Sequence, residues 1–382
     1  MIKVFINYKL LFFSFFIISI IYYSKIYIIR DMILLKGRKY MNRCLRQKIY
    51  RKINKFVNPR VTILIIFWIK FRERDNCQNS IKQAIRSIQN QKMIDIEIIL
   101  VNDKSNDKSL KIIKNFQKTD KRIKIINNKK NMGTLYSRSI GVLQAKGKYI
   151  FPLDNDDMLF NNDVFDIIYK EANKFKYDIV GFKTIESKNY TAKINEMRDR
   201  RPIYNNSFTI HKPELSLFGI TKKGKFKIRE FHIWSKCIKS SIYKKATNQL
   251  GRKRYSLFMS WAEDTSMVFI LFNIAESFRY ITKYGIFKCN RNNSAEHSMP
   301  NSHKLFGETF FLDVIFDFTN NDFKSKKFAF YQAMKIRNST YFKSLNKINI
   351  KFLQKTLKKL LSSPFIENKD KTQLRINFKR II

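Results

Sequence analysis

Between residues 61 and 157 the chain alternates short, almost wholly apolar runs with longer stretches whose apolar residues recur at helical spacing. Val61 to Trp68 (VTILIIFW) is β-branched and aromatic throughout, too hydrophobic for a half-exposed strand, and predicts a parallel strand buried on both faces. Ser80 to Gln89 places Ile81, Ala84, Ile85 and Ile88 on one helical face. Ile96 to Val101 predicts a second strand ending at Asn102-Asp103, Leu110 to Phe116 a helix, and Ile123 to Ile126 a third strand. After a turn at Asn131-Met132-Gly133, Leu135 to Ala145 predicts a helix and Tyr149 to Leu153 a strand running into Asp154-Asn155-Asp156-Asp157. Strands alternating with helices imply an α/β fold with a mostly parallel sheet covered by helices on both faces. Ligands of such sheets bind beyond the carboxyl ends of the strands, where Asp103 and Asp154 to Asp157 both fall.

The pattern loosens beyond Asp157. Val164 to Phe175 predicts a helix and Ile179 to Phe182 a strand, Glu186 to Phe231 mixes polar loops with short apolar pieces, and Ile233 to Ala246 and Ser266 to Ala275 have helical spacing. The tail beyond Lys304 predicts mostly helix.

At the other end, Leu10 to Ser24 is a charge-free run of roughly 15 residues, near the lower limit for crossing a bilayer, with Lys9 and Lys25 placed to snorkel outward. A cleaved signal peptide is the alternative, but Tyr22, Tyr23 and Lys25 stand where cleavage wants small residues. The reading is therefore a single-pass membrane anchor over 1–29 and a basic stem over 30–59, carrying Arg38, Lys39, Arg43, Arg46, Lys48, Arg51 and Lys52. Lys and Arg denser after the anchor than before it favour a cytosolic domain. Sequons at Asn189, Asn205, Asn292 and Asn338 favour a lumenal one, in the ER or Golgi, which is the expectation adopted.

Composition changes this picture little. The 382 residues are 44% hydrophobic with 35 Phe, 10 Gly and 6 Pro, which excludes a disordered or fibrous chain. The net charge of +46 is dispersed along the whole length rather than clustered with aromatics on one element, so no nucleic-acid partner is expected. Cys44, Cys77, Cys237 and Cys289 lack the close spacing of a Cys-based metal site.

Asp154-Asn155-Asp156-Asp157 is the sharpest chemical signal. Three carboxylates within four residues repel one another unless a cation compensates, and Mg2+ or Mn2+ binds through one or two carboxylates with substrate phosphates completing the shell.

These landmarks together, VTILIIFW, SIQNQ, IEIILVNDKSNDKS and NMGTLYSRSIGVLQAKGKYIFPLDNDD in order, resemble the nucleotide-sugar half of family 2 glycosyltransferases. The resemblance implies a GT-A (Rossmann-like) domain over 60–300, with 60–160 the nucleotide-sugar half, 161–300 the acceptor half and 301–382 a helical tail. It implies an inverting transfer from a nucleotide-diphospho-sugar donor, a UDP-sugar, to a hydroxyl of a glycan, lipid or protein. By this resemblance Asp103 recognises the uracil base, and Trp68 either stacks on it or packs the core. Arg138 approaches the phosphates, Asp154 stands beside the donor sugar or ribose, and Asp156 and Asp157 hold Mn2+ or Mg2+. Trp261-Ala262-Glu263-Asp264-Thr265 resembles the family's second acidic motif, making Asp264 the expected base on the acceptor and Glu263 the alternate. The chain departs from the family at Ile66 to Ile69, where a proline and a Tyr-Asn are usual, and at Asn102 and Lys104, where an acid and a glycine are usual. Two rival readings remain: a non-catalytic relative that binds a ligand or partner, and a basic membrane-surface or nucleic-acid-binding protein.

Overall fold

The computed structural model describes residues 59–67, 74–187, 198–199, 204–213, 218–220, 226–228, 232–259, 261–289, 301–318 and 347–363, with a few isolated positions beyond. The expected anchor and nearly all of the stem, residues 1–58, lie outside these, as does Trp68. Among the described residues no helix is long and apolar enough to cross a membrane.

The nucleotide-half pattern folds as its periodicity dictates. Strand β1 (Val61–Phe67) is followed by α1 (Arg74–Gln89), β2 (Ile96–Asn102), α2 (Ser109–Thr119), β3 (Ile123–Asn127), α3 (Thr134–Gln144) and β4 (Tyr149–Asp154). β1 pairs in parallel with β2 on one side and β4 on the other, and β2 pairs in parallel with β3. Alternate residues of each strand feed opposite faces, as the strand period of two requires. Ile63 and Ile65 of β1, Ile98 and Leu100 of β2, and Phe151 and Leu153 of β4 pack with Ile81, Ile85 and Ile88 of α1. Leu64, Ile99, Val101 and Ile150 face the other way, toward Leu135 and Val142 of α3. Each such fully buried side chain stabilises the fold by roughly 1.5–3 kcal/mol.

Past β4 come β5 (Asp157–Leu159), α4 (Val164–Lys174), β6 (Ile179–Ser187), β7 (Arg198–Asp199), β8 (Phe208–His211), β9 (Phe218–Ile220) and β10 (Phe226–Ile228). Then follow β11 (Lys236–Lys239), α5 (Ser240–Leu250), α6 (Arg252–Tyr255), α7 (Glu263–Ile274) and β12 (Ser277–Cys289). The main sheet runs β3-β2-β1-β4-β11-β6-β12-β5, with β7 on β6 and β8 on β12, while β9 and β10 pair separately. The helix expected from Ile233 to Ala246 is corrected: the stretch begins as β11, antiparallel to both β4 and β6, and becomes helical only at Ser240. Tertiary pairing overrides local spacing there, because Cys237 and Ile238 fill a slot between two strands, with Cys237 a buried free thiol.

Beyond its acidic first turn α7 is apolar on all sides, with Met267 to Phe272 buried throughout, because it lies between α5 and the helix α8 (Asn301–Phe318). α9 (Lys347–Ser362) packs in turn on α8, and Phe310, Leu312, Leu353 and Leu357 share one core with α3, α5 and α7. Lys359 binds Asp313 at 2.7 Å and Asp317 at 2.9 Å, and Arg254 of α6 binds Asp313 at 3.1 Å, tying α6, α8 and α9 together. Residues 60–382 accordingly form one compact unit.

Candidate active site

The parallel strands end in register, Phe67 opposite Asn102, Asn102 opposite Asn127 and Ile66 opposite Asp154, so their carboxyl ends make one rim. Asp103 and Asp154 stand at this rim with β1 between them, two strand spacings apart, or roughly 10 Å.

Asp103 is buried, and its carboxylate organises the approach to α3. Oδ1 accepts from Asn128 Nδ2 at 2.7 Å and the Met132 amide at 2.8 Å, and Oδ2 accepts from the Gly133 amide at 2.8 Å. A base N–H reaching this carboxylate would share an oxygen with those donors. Two of the departures from the family pattern, Asn102 and Lys104, lie beside it. Lys104 adopts φ 64°, the left-handed conformation that glycine occupies without strain. Asn102 Oδ1 accepts from the Ser105 amide at 2.9 Å, closing the turn.

Asp154 at the end of β4, Asp156 in the turn and Asp157 opening β5 offer carboxylate oxygens within 4.8 Å of one another. Such a hard-oxygen set suits Mg2+ or Mn2+. Burial pushes Asp154 above the usual carboxylate range; Asp156 and Asp264 push the same way, while Lys288 and Arg138 oppose them. Lys288 is a functional candidate that the sequence reading missed. Its Nζ lies 3.5 Å from Asp157 and 3.9 Å from Asp154 because β12 pairs antiparallel with β5, Lys288 opposite Asp157. Nothing in a strand 131 residues away signals that pairing beforehand.

The second acidic motif stands near the first, since Asp264 and Arg138 both act electrostatically on Asp154. Gly133 bridges to Met259, and Thr134 Oγ1 donates to the Met259 carbonyl at 3.2 Å, so the chain entering α7 lies against the start of α3. Only glycine permits this contact: a Cβ at Gly133 would stand 2.5 Å from the Met259 carbonyl oxygen, on a backbone with φ 85°. One turn into α3, the buried Arg138 binds Asp264 at 2.7 Å and Glu263 at 3.4 Å. The expected phosphate contact thus forms an ion pair with the expected base. Asp264 also accepts from the Ile233 amide at 3.4 Å. Burial pushes Asp264 up to about 6, with Glu263 adding to the shift and Arg138 opposing it. Burial and the second carboxylate outweigh the guanidinium, whose own proton is held more tightly by both acids.

Asp156, Asp264 and Arg138 all act electrostatically on Asp154, and Arg138 pairs with Asp264 and Glu263, so the two acidic motifs stand close together, with Asp103 at a neighbouring strand end and Trp68 outside the described residues.

With this geometry in view, residues 74–234 match the glycosyl transferase family 2 model. Among its relatives, a GalNAc(5)-diNAcBac-PP-undecaprenol beta-1,3-glucosyltransferase of Campylobacter jejuni is 31% identical over 163 residues, covering 41% of this chain and 52% of that protein. A cholesterol galactosyltransferase of Borreliella burgdorferi is 31% identical over 121 residues, covering 32% of this chain and 31% of that one. An uncharacterized glycosyltransferase of Rickettsia bellii is 36% identical over 115 residues, covering 30% and 16%. The chain thus spans about half or less of the length of these relatives. Among solved structures, S. aureus TarS 1-349 in complex with UDP-GlcNAc has the same fold, with a TM-score of 0.58 over 83% of this chain and 88% of that one at 12% identity.

Proposed function

We propose that this chain is a metal-dependent, inverting glycosyltransferase that moves a sugar from a nucleoside-diphosphate donor, a UDP-sugar, to a hydroxyl of a glycan, lipid or protein. The observation that carries the reading is the cluster of Asp154, Asp156 and Asp157, with oxygens within 4.8 Å, whose Asp154 interacts electrostatically with the Arg138–Asp264 pair. A UDP-sugar donor is supported by the fold shared with a protein solved with UDP-GlcNAc, and transfer by relatives named as glucosyl- and galactosyltransferases.

Asp156 and Asp157 would hold Mn2+ or Mg2+, with Asp154 beside the donor sugar; the ion, when bound, neutralises the diphosphate that leaves. Asp264 accepts the proton of the acceptor hydroxyl as that oxygen bonds to the anomeric carbon, opposite the breaking bond to phosphate, so configuration inverts. Arg138 holds Asp264 in place and favours its charged form. Residues 1–29 anchor the enzyme in a membrane, with the domain on the lumenal side; protease resistance in sealed vesicles, lost on detergent treatment, is the expected result.

The reading is tested by screening UDP-sugars for turnover with and without chelator. Asp156→Ala and Asp157→Ala should each abolish turnover with an unchanged circular dichroism spectrum. Full activity in excess chelator would sink the metal assignment.

A further inference from the structure

The carboxylate cluster already has a cation supplied by the chain. Lys288 Nζ lies 3.5 Å from Asp157 Oδ2 and 3.9 Å from Asp154 Oδ2, and the lysine side chain is only 19% exposed. It also stands 5.0 Å above the ring of the buried Trp234, on which His232 stacks at 4.5 Å. Strand pairing fixes its backbone, with Lys288 opposite Asp157 and Phe287 opposite Met158. Two carboxylates and an aromatic face therefore hold one ammonium.

We propose that Lys288 is a built-in counter-cation that occupies the carboxylate cluster of the resting protein and that a divalent ion must displace. The proposal rests on the metal reading of that cluster. Three carboxylates this close repel one another, and partial burial magnifies the repulsion. A lysine ammonium relieves it with one charge, and a divalent ion relieves it with two. Both draw on Asp154 and Asp157, so each weakens the other. The lysine stem is flexible and can withdraw while β12 stays paired. Lys288 thus keeps the acidic turn assembled without metal and lowers the metal affinity of the free protein.

Mn2+ alone, titrated into the full chain and followed by the electron paramagnetic resonance of free Mn2+, tests this without any turnover. Lys288→Met should bind Mn2+ more tightly by on the order of tenfold, a usual size for coupling between two ligands. Lys288→Arg, which keeps the charge, should bind as the unaltered protein does. In thermal melts Lys288→Met should unfold at lower temperature without metal and gain more from Mn2+ than the unaltered chain. Equal or weaker Mn2+ binding by Lys288→Met overturns the counter-cation role and leaves the metal reading standing. No Mn2+ binding by either protein overturns both.

Discussion

Asp264 and Arg138 set the protonation of the site between them. With its carboxyl pushed up to about 6 by burial, Asp264 is charged at neutral pH yet more basic than a solvated carboxylate, which suits proton acceptance. Asp264→Asn keeps the shape and removes the basicity, so transfer should fall by about 100-fold to 10,000-fold while donor binding and metal dependence stay near normal. A collapse in Glu263→Gln instead, with Asp264→Asn active, would assign the base to the neighbouring acid. Below pH 6 Asp264 takes up a proton and cannot accept another, so kcat/KM should fall on the acid side with a limb near that value. Arg138 favours the charged carboxylate, so Arg138→Gln should raise the Asp264 pKa and move the limb to higher pH. Arg138→Lys should return it part of the way. An acid limb that stays in place in Arg138→Gln would show that the arginine only packs.

Among the elements, the meeting of α3 with the segment entering α7 decides whether that pair can form. Gly133 sits with φ 85° against Met259, where a Cβ would come within 2.5 Å of a carbonyl oxygen. In Gly133→Ala the backbone strain alone costs about 1–3 kcal/mol, and the clash forces Met259 away. Lower thermal stability should therefore accompany a loss of transfer larger than the loss of folded protein. A variant that is destabilised yet fully active per folded molecule would detach this contact from the placement of Asp264. In the turn after β2, Asn102 accepts from the Ser105 amide and Lys104 takes the left-handed conformation that favours glycine.

At the scale of the molecule, α8 and α9 are part of the core that the acceptor half uses. Phe306, Phe310, Phe311, Leu312, Val314 and Ile315 of α8, with Leu353, Leu357 and Leu360 of α9, are buried against α7 and its neighbours. At roughly 1.5–3 kcal/mol for each such side chain, their removal exceeds the about 5–15 kcal/mol that holds a typical domain folded. A chain ending at Pro300 should therefore be insoluble or rapidly digested in limited proteolysis. Recovery of a soluble protein with a cooperative melt would show that α7 is stabilised without them. Gly307 marks how close the packing is, since a Cβ there would meet the Trp261 carbonyl oxygen at 2.2 Å, two residues before Glu263.

The sequence by itself determined the nucleotide half: β1 to β4, their helices, the two-sided burial, and Asp103 and Asp154 to Asp157 at strand ends. Those features are local, because a buried parallel strand must be apolar throughout and its end residue is fixed by where that run stops. It also marked Glu263 and Asp264 as an acidic pair at the start of a helix. Only the tertiary structure decided what these acids face. Arg138 meets Asp264 across 126 residues and Lys288 meets Asp157 across 131, and such partners depend on strand order and helix contacts that no local period encodes. The same holds for β11, where a segment with helical spacing becomes a strand because two neighbouring strands leave its backbone donors and acceptors a ladder to complete.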